Sequence, residues 1–283
     1  MSRVSIITGG AGGMGQATAR IVGQDHALVL CDIRKDRLDT AAAELADAGI
    51  SVTAVHCDVT DRSAVDRLFE TATGVGTIDS VVHTAGVSPS MGDAEYVMRT
   101  NAIGTLNVNE VFFEAASDGI AIVNVASMAA HLLPDEMIPK NQFPQAMTDQ
   151  DAFMADMLAA CDIAGPEARS GIAYAVSKSF VRWYSSSQAE RFNGKGLRIV
   201  SVSPGSVDTE MGRLEEQAGA GAMVTDAAVP RWGTPEEMAE LFAFCVSPKA
   251  GYLTGTDILN DGGVVASMME RARKAAEATE AQR

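Results

Sequence analysis

Short apolar runs of strand length alternate along the chain with longer segments whose apolar positions recur at helical spacing. Strands that alternate with helices usually form parallel sheets with helices packed on both faces. The pattern therefore predicts an α/β fold with a doubly wound parallel sheet. The predicted strands are residues 4–8, 27–31, 51–56, 78–83, 120–126, 197–202 and 254–259.

The first predicted strand runs into a glycine-rich turn that is followed by a helical pattern. Glycine is needed where the backbone takes a positive φ or approaches another group closely, and a helix N-terminus attracts an anion. The turn therefore predicts a pyrophosphate site, with a purely structural packing turn as the alternative. Two glycine spacings overlap, and the glycines alone do not choose between Gly10-x-Gly12-x-x-Gly15 and Thr8-Gly9-x-x-x-Gly13-x-Gly15.

Acidic side chains follow strands 2 and 3. Asp32 can accept hydrogen bonds from an adenosine ribose, and its charge would repel a 2′-phosphate, so NAD is favoured over NADP. Arg34 lies nearby and keeps NADP as the alternative, while capping of the next helix, 35–48, is the structural alternative for Asp32. Asp58 can bind an adenine amino group, but the residues alone favour Thr60 as a helix N-cap with Asp58 in the turn.

Four polar residues farther along the chain are candidates for chemistry. Ser127 ends strand 5, at the edge where open α/β sheets bind ligands. Tyr174 and Lys178 are one turn apart in a segment free of Gly and Pro from 172 to 193, so they share a helix face. Asn101 lies in the first half of a predicted long helix, 93–116, where an Asn is usually a tolerated polar residue.

Charge and composition exclude several partners. The 283 residues carry a formal net charge of −15, which argues against nucleic acid and anionic membrane surfaces. No apolar run reaches the length of a membrane span and no signal-peptide pattern precedes strand 1, so we expect a cytoplasmic protein. The four Cys and four His residues lack metal-site spacing, which predicts reduced, buried thiols and no metal.

Taken together, these motifs resemble the short-chain dehydrogenase/reductase family along nearly the whole chain. The resemblance selects the register Gly9, Gly13 and Gly15, and it implies a single domain, 1–283, with a seven-stranded Rossmann sheet. His83-Thr84 stands where the family usually has Asn-Asn, and we expect little loss because main-chain contacts dominate there. The matching segments are 8–15, Asp32, 58–59, 83–86, Asn101, Ser127, Tyr174-x-x-x-Lys178, 204–209, 254–255 and 261–263.

The resemblance also implies a role for each site residue. Tyr174 would be the acid/base, Ser127 would orient the substrate oxygen, and Lys178 would bind the nicotinamide ribose. Asn101 would hold a water that links Lys178 to solvent. An ammonium ~4 Å from the phenol contributes about 4 kcal/mol, enough to lower a pKa of about 10 towards neutrality. The implied cofactor contacts are Gly9, Gly13, Met14, Gly15, Asp32, Ile33, Asp58, Val59, Ala85, Gly86, Tyr174, Lys178, Pro204, Gly205, Val207 and Thr209.

Three segments depart from the shared pattern or extend it. Residues 128–170 form an insertion before Tyr174, similar to that of bacterial 3α-hydroxysteroid dehydrogenase/carbonyl reductase, where it occupies a dimer surface. We expect an interface, a substrate lid or both, containing a helix with Thr148 as N-cap. Residues 206–232 are predicted to be a mobile substrate loop, and 264–283 a helical tail. The predicted apolar stripe of the insertion helix is Phe153, Met154, Met157, Leu158 and Cys161.

The expected function is NAD-dependent interconversion of a secondary alcohol and a ketone. The apolar insertion and the Met-containing loop favour an apolar, alicyclic or steroid-like substrate, and we expect a homodimer or homotetramer. A catalytically silent nucleotide-binding regulator with the same fold is the main alternative. A sugar-nucleotide epimerase or dehydratase of the extended branch is disfavoured because only residues 264–283 follow Gly263.

Overall fold

Seven parallel strands form one open sheet in the computed structural model, which describes residues 2–280. Their spatial order is β3-β2-β1-β4-β5-β6-β7, so the strand order reverses between β1 and β4. Sheets of this kind bind ligands beyond the carboxyl ends of the strands at that reversal. The predicted α/β fold is confirmed. The strands are β1 (Arg3–Thr8), β2 (Ala27–Asp32), β3 (Val52–His56), β4 (Thr77–His83), β5 (Ala121–Val125), β6 (Arg198–Pro204) and β7 (Asp257–Asn260).

Helices cover both faces of the sheet and enclose two apolar cores. Neighbouring residues of β1 belong to different cores, because Ile6 and Ile7 point to opposite faces of the sheet. Helices α1, α2 and α11 pack on the Ile7 side, and α3, α5 and α7 pack on the Ile6 side. The helices are α1 (Gly13–Val22), α2 (Lys35–Asp47), α3 (Arg62–Val75), α4 (Ala94–Met98), α5 (Gly104–Ala115), α6 (Gln150–Cys161), α7 (Arg169–Ser187), α8 (Ala189–Asn193), α9 (Glu210–Glu215), α10 (Ala222–Asp226), α11 (Pro235–Val246) and α12 (Val264–Glu280).

Two predicted helix N-caps are wrong by one residue. Thr60 does not cap α3, because the Asp58 carboxylate accepts hydrogen bonds from both the N–H and the hydroxyl of Thr60. The cap is Asp61, which accepts from the Ser63 N–H at 2.9 Å. Likewise α6 is capped by Asp149 rather than Thr148. A carboxylate and a hydroxyl side by side are both good caps, and their other contacts decide which is used.

The two long helices predicted around the site are interrupted. The segment predicted as helix 93–116 contains a π-helical turn, Arg99–Ile103, between α4 and α5, and Asn101 is at its centre. Such turns often occur at functional sites. The segment 172–193 divides at Gln188 into α7 and α8, so Tyr174 and Lys178 remain on one unbroken helix.

The C-terminal third is more helical than the sequence pattern indicates. The predicted substrate loop contains α9, a π-helical turn (Glu216–Ala220) and α10. The predicted tail forms α12, in which Val264 and Val265 are buried and later residues are largely exposed, and residues 281–283 of that prediction lie outside the described residues. None of the helices within 2–280 is long and apolar enough to cross a membrane.

Candidate active site

The turn between β1 and α1 requires glycine at Gly9 and Gly15 and leaves little room for a side chain at Gly13. Gly9 has φ +64°, and a Cβ there would lie 2.7 Å from the Ala85 nitrogen. A Cβ on Gly15 would lie 2.3 Å from the Gly9 oxygen, and one on Gly13 would lie 2.8 Å from Thr209 Cγ2. Real Cβ atoms do not approach backbone atoms so closely. The geometry therefore fits the register that the family resemblance selects.

Asp32 joins the end of β2 to the glycine turn. Its carboxylate accepts a hydrogen bond from the Ala11 N–H at 3.2 Å and another from the Arg34 N–H at 3.0 Å. Helix α2 begins at Lys35 with Arg34 as its N-cap residue, and no side chain caps it. The alternative in which Asp32 caps α2 is therefore wrong, and the carboxylate lies on the wall of the cleft described next.

A cleft of about 480 Å³ opens at the carboxyl edge of the sheet beside the glycine turn. Its wall combines glycine backbone with the carboxylates of Asp32 and Asp58 after β2 and β3, groups that suit a pyrophosphate and the hydroxyl and amino groups of an adenosine, and Glu210 adds a third carboxylate. Pro204 ends β6, whereas Gly205 and Val207 line a neighbouring cavity of about 290 Å³. The predicted cofactor residues on the wall of the larger cleft are Gly9, Gly13, Met14, Gly15, Asp32, Ile33, Asp58, Val59, Ala85, Gly86 and Thr209.

Gly86 brings the cleft wall against two of the predicted catalytic residues. A Cβ on Gly86 would lie 3.0 Å from Asn101 Oδ1 and 3.2 Å from Lys178 Nζ. Lys178 is buried and donates from Nζ to the Val125 carbonyl oxygen at 2.8 Å, at the end of β5. Burial lowers the pKa of Lys178 to about 8, because the ammonium loses its water.

The Asn101 side chain is fully engaged with the loop that follows β4. Its Oδ1 accepts from the Val87 N–H at 2.9 Å, and its Nδ2 donates to the Val87 carbonyl at 3.0 Å and to Ser177 Oγ at 3.2 Å. The amide therefore ties this loop to α7. The water-holding role that the resemblance implies for Asn101 stays a prediction.

Tyr174 and Ser127 meet at the end of β5, and the structure corrects one expectation about them. Burial has the largest effect and raises the pKa of Tyr174, the neighbouring Ser127 side chain lowers it, and the charge of Glu215 raises it, so the net shift is upward. The Lys178 ammonium lies 5.9 Å from the Tyr174 ring centroid and donates to Val125 instead. In the protein chain alone, the Lys178 ammonium therefore does not lower the phenol pKa in the way expected from the sequence.

Known proteins with similar sequences agree with this arrangement. Residues 3–138 match the family model for short chain dehydrogenases, and residues 144–265 match the model described as enoyl-(acyl carrier protein) reductase. The short-chain dehydrogenase/reductase bsc3 of Alternaria brassicicola is 31% identical over 271 residues, which cover 94% of this chain and 97% of bsc3. The chain belongs to the short-chain dehydrogenase/reductase family.

Other relatives within this short-chain dehydrogenase/reductase family are more distant but cover as much of the chain. The 3-oxoacyl-(acyl-carrier-protein) reductase FabG of Thermotoga maritima is 28% identical, over 93% of this chain and 98% of its own. The structure of a short-chain dehydrogenase/reductase from Serratia marcescens superposes with a TM-score of 0.73 at 24% identity, covering 93% of this chain and 98% of the other. The latter likeness shows the shared fold.

His83, where short-chain dehydrogenases usually have Asn, contributes more than the main-chain contact expected from the sequence. Its Nδ1 lies 2.7 Å from Thr8 Oγ1, and its Nε2 lies 3.1 Å from Thr105 Oγ1. Because the Thr105 hydroxyl donates to the Asn101 carbonyl at 2.6 Å, its oxygen accepts from His83 Nε2–H. Burial, with a smaller effect of Lys178, lowers the pKa of His83 to about 3 and keeps the ring neutral.

The insertion that distinguishes this short-chain dehydrogenase packs on its own chain. The stripe of α6 is buried at Phe153, Met154, Met157 and Cys161 in the core that α7 shares, while Leu158 is partly buried against it. Phe143 and Phe153 both pack against Phe180 of α7. The stripe is therefore not an exposed apolar surface on which a partner subunit or a substrate could lie.

Helix α9 forms one wall of the cleft and is fixed on two sides, which the sequence pattern did not indicate. Arg37 of α2 donates from Nη2 to Glu210 Oε1 at 2.7 Å. The Ser90 N–H donates to Glu215 Oε1 at 3.0 Å. The apolar side chains that face the cleft near α9 are Val87, Met91, Tyr96, Met211 and Leu214.

Proposed function

We propose that this short-chain dehydrogenase uses NAD to interconvert a secondary alcohol and a ketone. The observation that carries the proposal is the meeting of Ser127 and Tyr174 beside buried Lys178, next to a cleft whose wall includes the glycine turn and Asp32. The residues on the wall suit a dinucleotide. When bound, the nicotinamide supplies the hydride chemistry.

The protein's own groups would then move one proton and orient one oxygen. The Tyr174 hydroxyl gives a proton to the carbonyl oxygen in reduction, its phenolate takes one from the alcohol in oxidation, and Ser127 donates a hydrogen bond that orients that oxygen. Lys178, whose ammonium lies against Gly86 of the cleft wall and donates to the Val125 carbonyl, would bind the nicotinamide ribose. Asn101 fixes the loop at Val87, which lies on the cleft wall.

The proposed preference for NAD over NADP rests on Asp32. Its carboxylate is fixed by two backbone N–H groups on the cleft wall, where it would accept from ribose hydroxyls and repel a 2′-phosphate. Three cations, Arg34, Arg37 and Arg99, also line the cleft, but Arg37 is paired with Glu210 and Arg99 with Glu95. The fixed negative charge therefore dominates the expected ribose site.

We expect Asp32→Asn to lower the ratio of kcat/KM for NAD to that for NADP by about tenfold or more, because a charge-assisted hydrogen bond and a repulsion are both lost. The ratio is measured with one substrate at fixed pH and ionic strength. Asp36→Asn is the matched control, since it removes a charge from the first turn of α2, and Asp36 is exposed. An unchanged ratio in Asp32→Asn contradicts the assignment of NAD.

The proposed substrate is an apolar secondary alcohol, of alicyclic or steroid-like shape. The cleft near α9 presents Val87, Met91, Met211 and Leu214, which favour apolar over charged groups. We expect kcat/KM with NAD to be at least about tenfold higher for cyclohexanol-type and steroid alcohols than for short polar alcohols, since each buried CH₂ contributes about 0.8 kcal/mol.

A panel of such alcohols, assayed by NADH absorbance, tests both proposals. Turnover of short polar alcohols alone would exclude the apolar substrate while leaving the dehydrogenase intact. Tight NADH binding without turnover of any alcohol or ketone in the panel would instead favour a nucleotide-binding regulator.

A further inference from the structure

A cluster of polar side chains surrounds Asp257, at the first residue of β7 and outside the cleft. The carboxylate accepts from Ser201 Oγ at 2.6 Å, Ser203 Oγ at 2.9 Å and His131 Nε2 at 2.9 Å. Arg182 Nε lies 3.2 Å from the same carboxylate, whose side chain is 10% exposed. A nearly buried carboxylate with three hydrogen-bond donors and a guanidinium ion pair is held rigidly in position. No step of the proposed reaction uses it.

His131 connects this carboxylate to the turn that carries Ser127. A 3₁₀ turn, Met128–His131, follows Ser127 directly. Ser127 Oγ accepts from the Ala129 N–H at 3.2 Å, and the Ser127 carbonyl accepts from the Ala130 N–H at 3.0 Å. The rotation of the Ser127 side chain therefore depends on the turn, and the far end of the turn is bonded to Asp257.

Arg182 connects the same turn to the helix that carries Tyr174. Its Nη1 donates to the Ala130 carbonyl at 2.7 Å, while its Nε faces Asp257. Arg182 lies on α7, one helical turn beyond Lys178 and two beyond Tyr174, so the three share a face. From the helix of the proposed acid/base, one guanidinium thus donates a hydrogen bond to the Ser127 turn and forms an ion pair with the carboxylate of β7.

We propose that Asp257 is a positioning residue that, through His131 and Arg182, fixes the Ser127 turn against α7 so that the Ser127 hydroxyl meets that of Tyr174. This inference rests on the proposed function. Residues of β7 and of the end of the 3₁₀ turn would then influence the reaction without touching the substrate oxygen.

A positional role has a signature in the pH profile. The groups that face Tyr174 are Ser127, whose side chain lowers the phenol pKa, Glu215 of α9, whose charge raises it, and Lys178 of α7. If the Ser127 hydroxyl moves away, the pKa of Tyr174 rises, and the acid limb of kcat/KM for alcohol oxidation moves to higher pH. A loss of stability alone does not move that limb.

The test compares Asp257→Asn with Glu110→Gln. Glu110 of α5 is also a partly buried carboxylate with several donors, accepting from Tyr184 at 2.5 Å and from Arg191 Nη2 at 2.7 Å, but it bonds neither the Ser127 turn nor β7. We expect kcat of Asp257→Asn to fall by about tenfold or more, with NADH affinity unchanged and the acid limb shifted upward. Glu110→Gln is expected to lower the melting temperature without either change. His131→Phe keeps a ring but removes the donor to Asp257, and it carries the test if Asp257→Asn does not fold.

Two outcomes overturn the positioning role: an unshifted pH profile with normal kcat in Asp257→Asn and His131→Phe, or an equal shift in Glu110→Gln. Ser127→Ala separates this proposal from the proposed function. If Ser127→Ala keeps full activity, the proposed chemistry is wrong. If Ser127→Ala loses activity while the Asp257 and His131 variants do not, the chemistry stands and only the positioning role fails.

Discussion

Replacing Tyr174 by Phe is expected to lower kcat by about 10²–10⁴-fold while NADH still binds with normal affinity. The change removes only the hydroxyl that bonds Ser127, and the ring keeps its packing beside Lys178. Because the hydroxyl is the group proposed to move the proton, its loss affects chemistry rather than nucleotide binding. Steady-state oxidation with NAD measures kcat, and titration of NADH fluorescence measures affinity.

Tyr184→Phe is the matched control, because it makes the same chemical change two to three turns later on α7. The Tyr184 hydroxyl donates to Glu110 at 2.5 Å, away from the Ser127 turn. We expect this variant to lose stability, by about 1–2 kcal/mol for a hydrogen bond to a charged group, and to keep its kcat. Normal turnover by Tyr174→Phe, or an equal loss in Tyr184→Phe, would remove Tyr174 from the mechanism.

Lys178→Met is expected to have the second largest effect, a fall in kcat/KM of about a hundredfold or more, because the buried cation beside Tyr174 is lost. Its effect on stability depends on pH. The pKa of Lys178 is about 8 in the folded chain, whereas an unfolded lysine has a pKa of about 10.4. Between these values the unfolded chain binds more protons, so the wild-type free energy of unfolding rises with pH.

Relative to Lys178→Met, the wild type should therefore gain about 2 kcal/mol of stability between pH 7 and about 9.5. Urea unfolding of both proteins at several pH values measures the difference. Lys195→Met is the control, since Lys195 is exposed and donates to the Phe113 carbonyl at the surface. A parallel pH dependence in wild type and Lys178→Met would show that the Lys178 pKa is not lowered by burial.

The features of the site that the sequence predicted are local ones. The glycine turn, Asp32 and the Tyr174–Lys178 pair each depend on residues within a few positions of one another, and backbone geometry brings such residues together in any fold of this class. The parallel sheet follows once strands alternate with helices. Where two neighbouring residues can both cap a helix, the one that is used is harder to predict, as the choice of Asp149 over Thr148 shows.

Features that join distant segments were not predictable from spacing. The Asp257 cluster unites side chains from β6, β7, α7 and the turn after β5, and no short motif contains them. The raised pKa of Tyr174 depends on burial and on Glu215 of α9, both of which follow from tertiary packing. The short distance expected between the Lys178 ammonium and the Tyr174 phenol likewise took no account of the hydrogen bond from Lys178 to the Val125 carbonyl.

The neutral ring of His83 makes positions 8, 83 and 105 mutually dependent. From the Ala85 N–H through Thr8, His83 and Thr105 to the Asn101 carbonyl, every donor points the same way, so each hydroxyl has its single proton already committed. Exchanging any one of these residues alone leaves a buried donor or acceptor unpaired at a cost of about 1–3 kcal/mol. The effects of substitutions at these positions should therefore be strongly non-additive, and such substitutions should be tolerated mainly when several are made together. Sequence changes in the nucleotide turn are thereby coupled to sequence changes in the Asn101 helix.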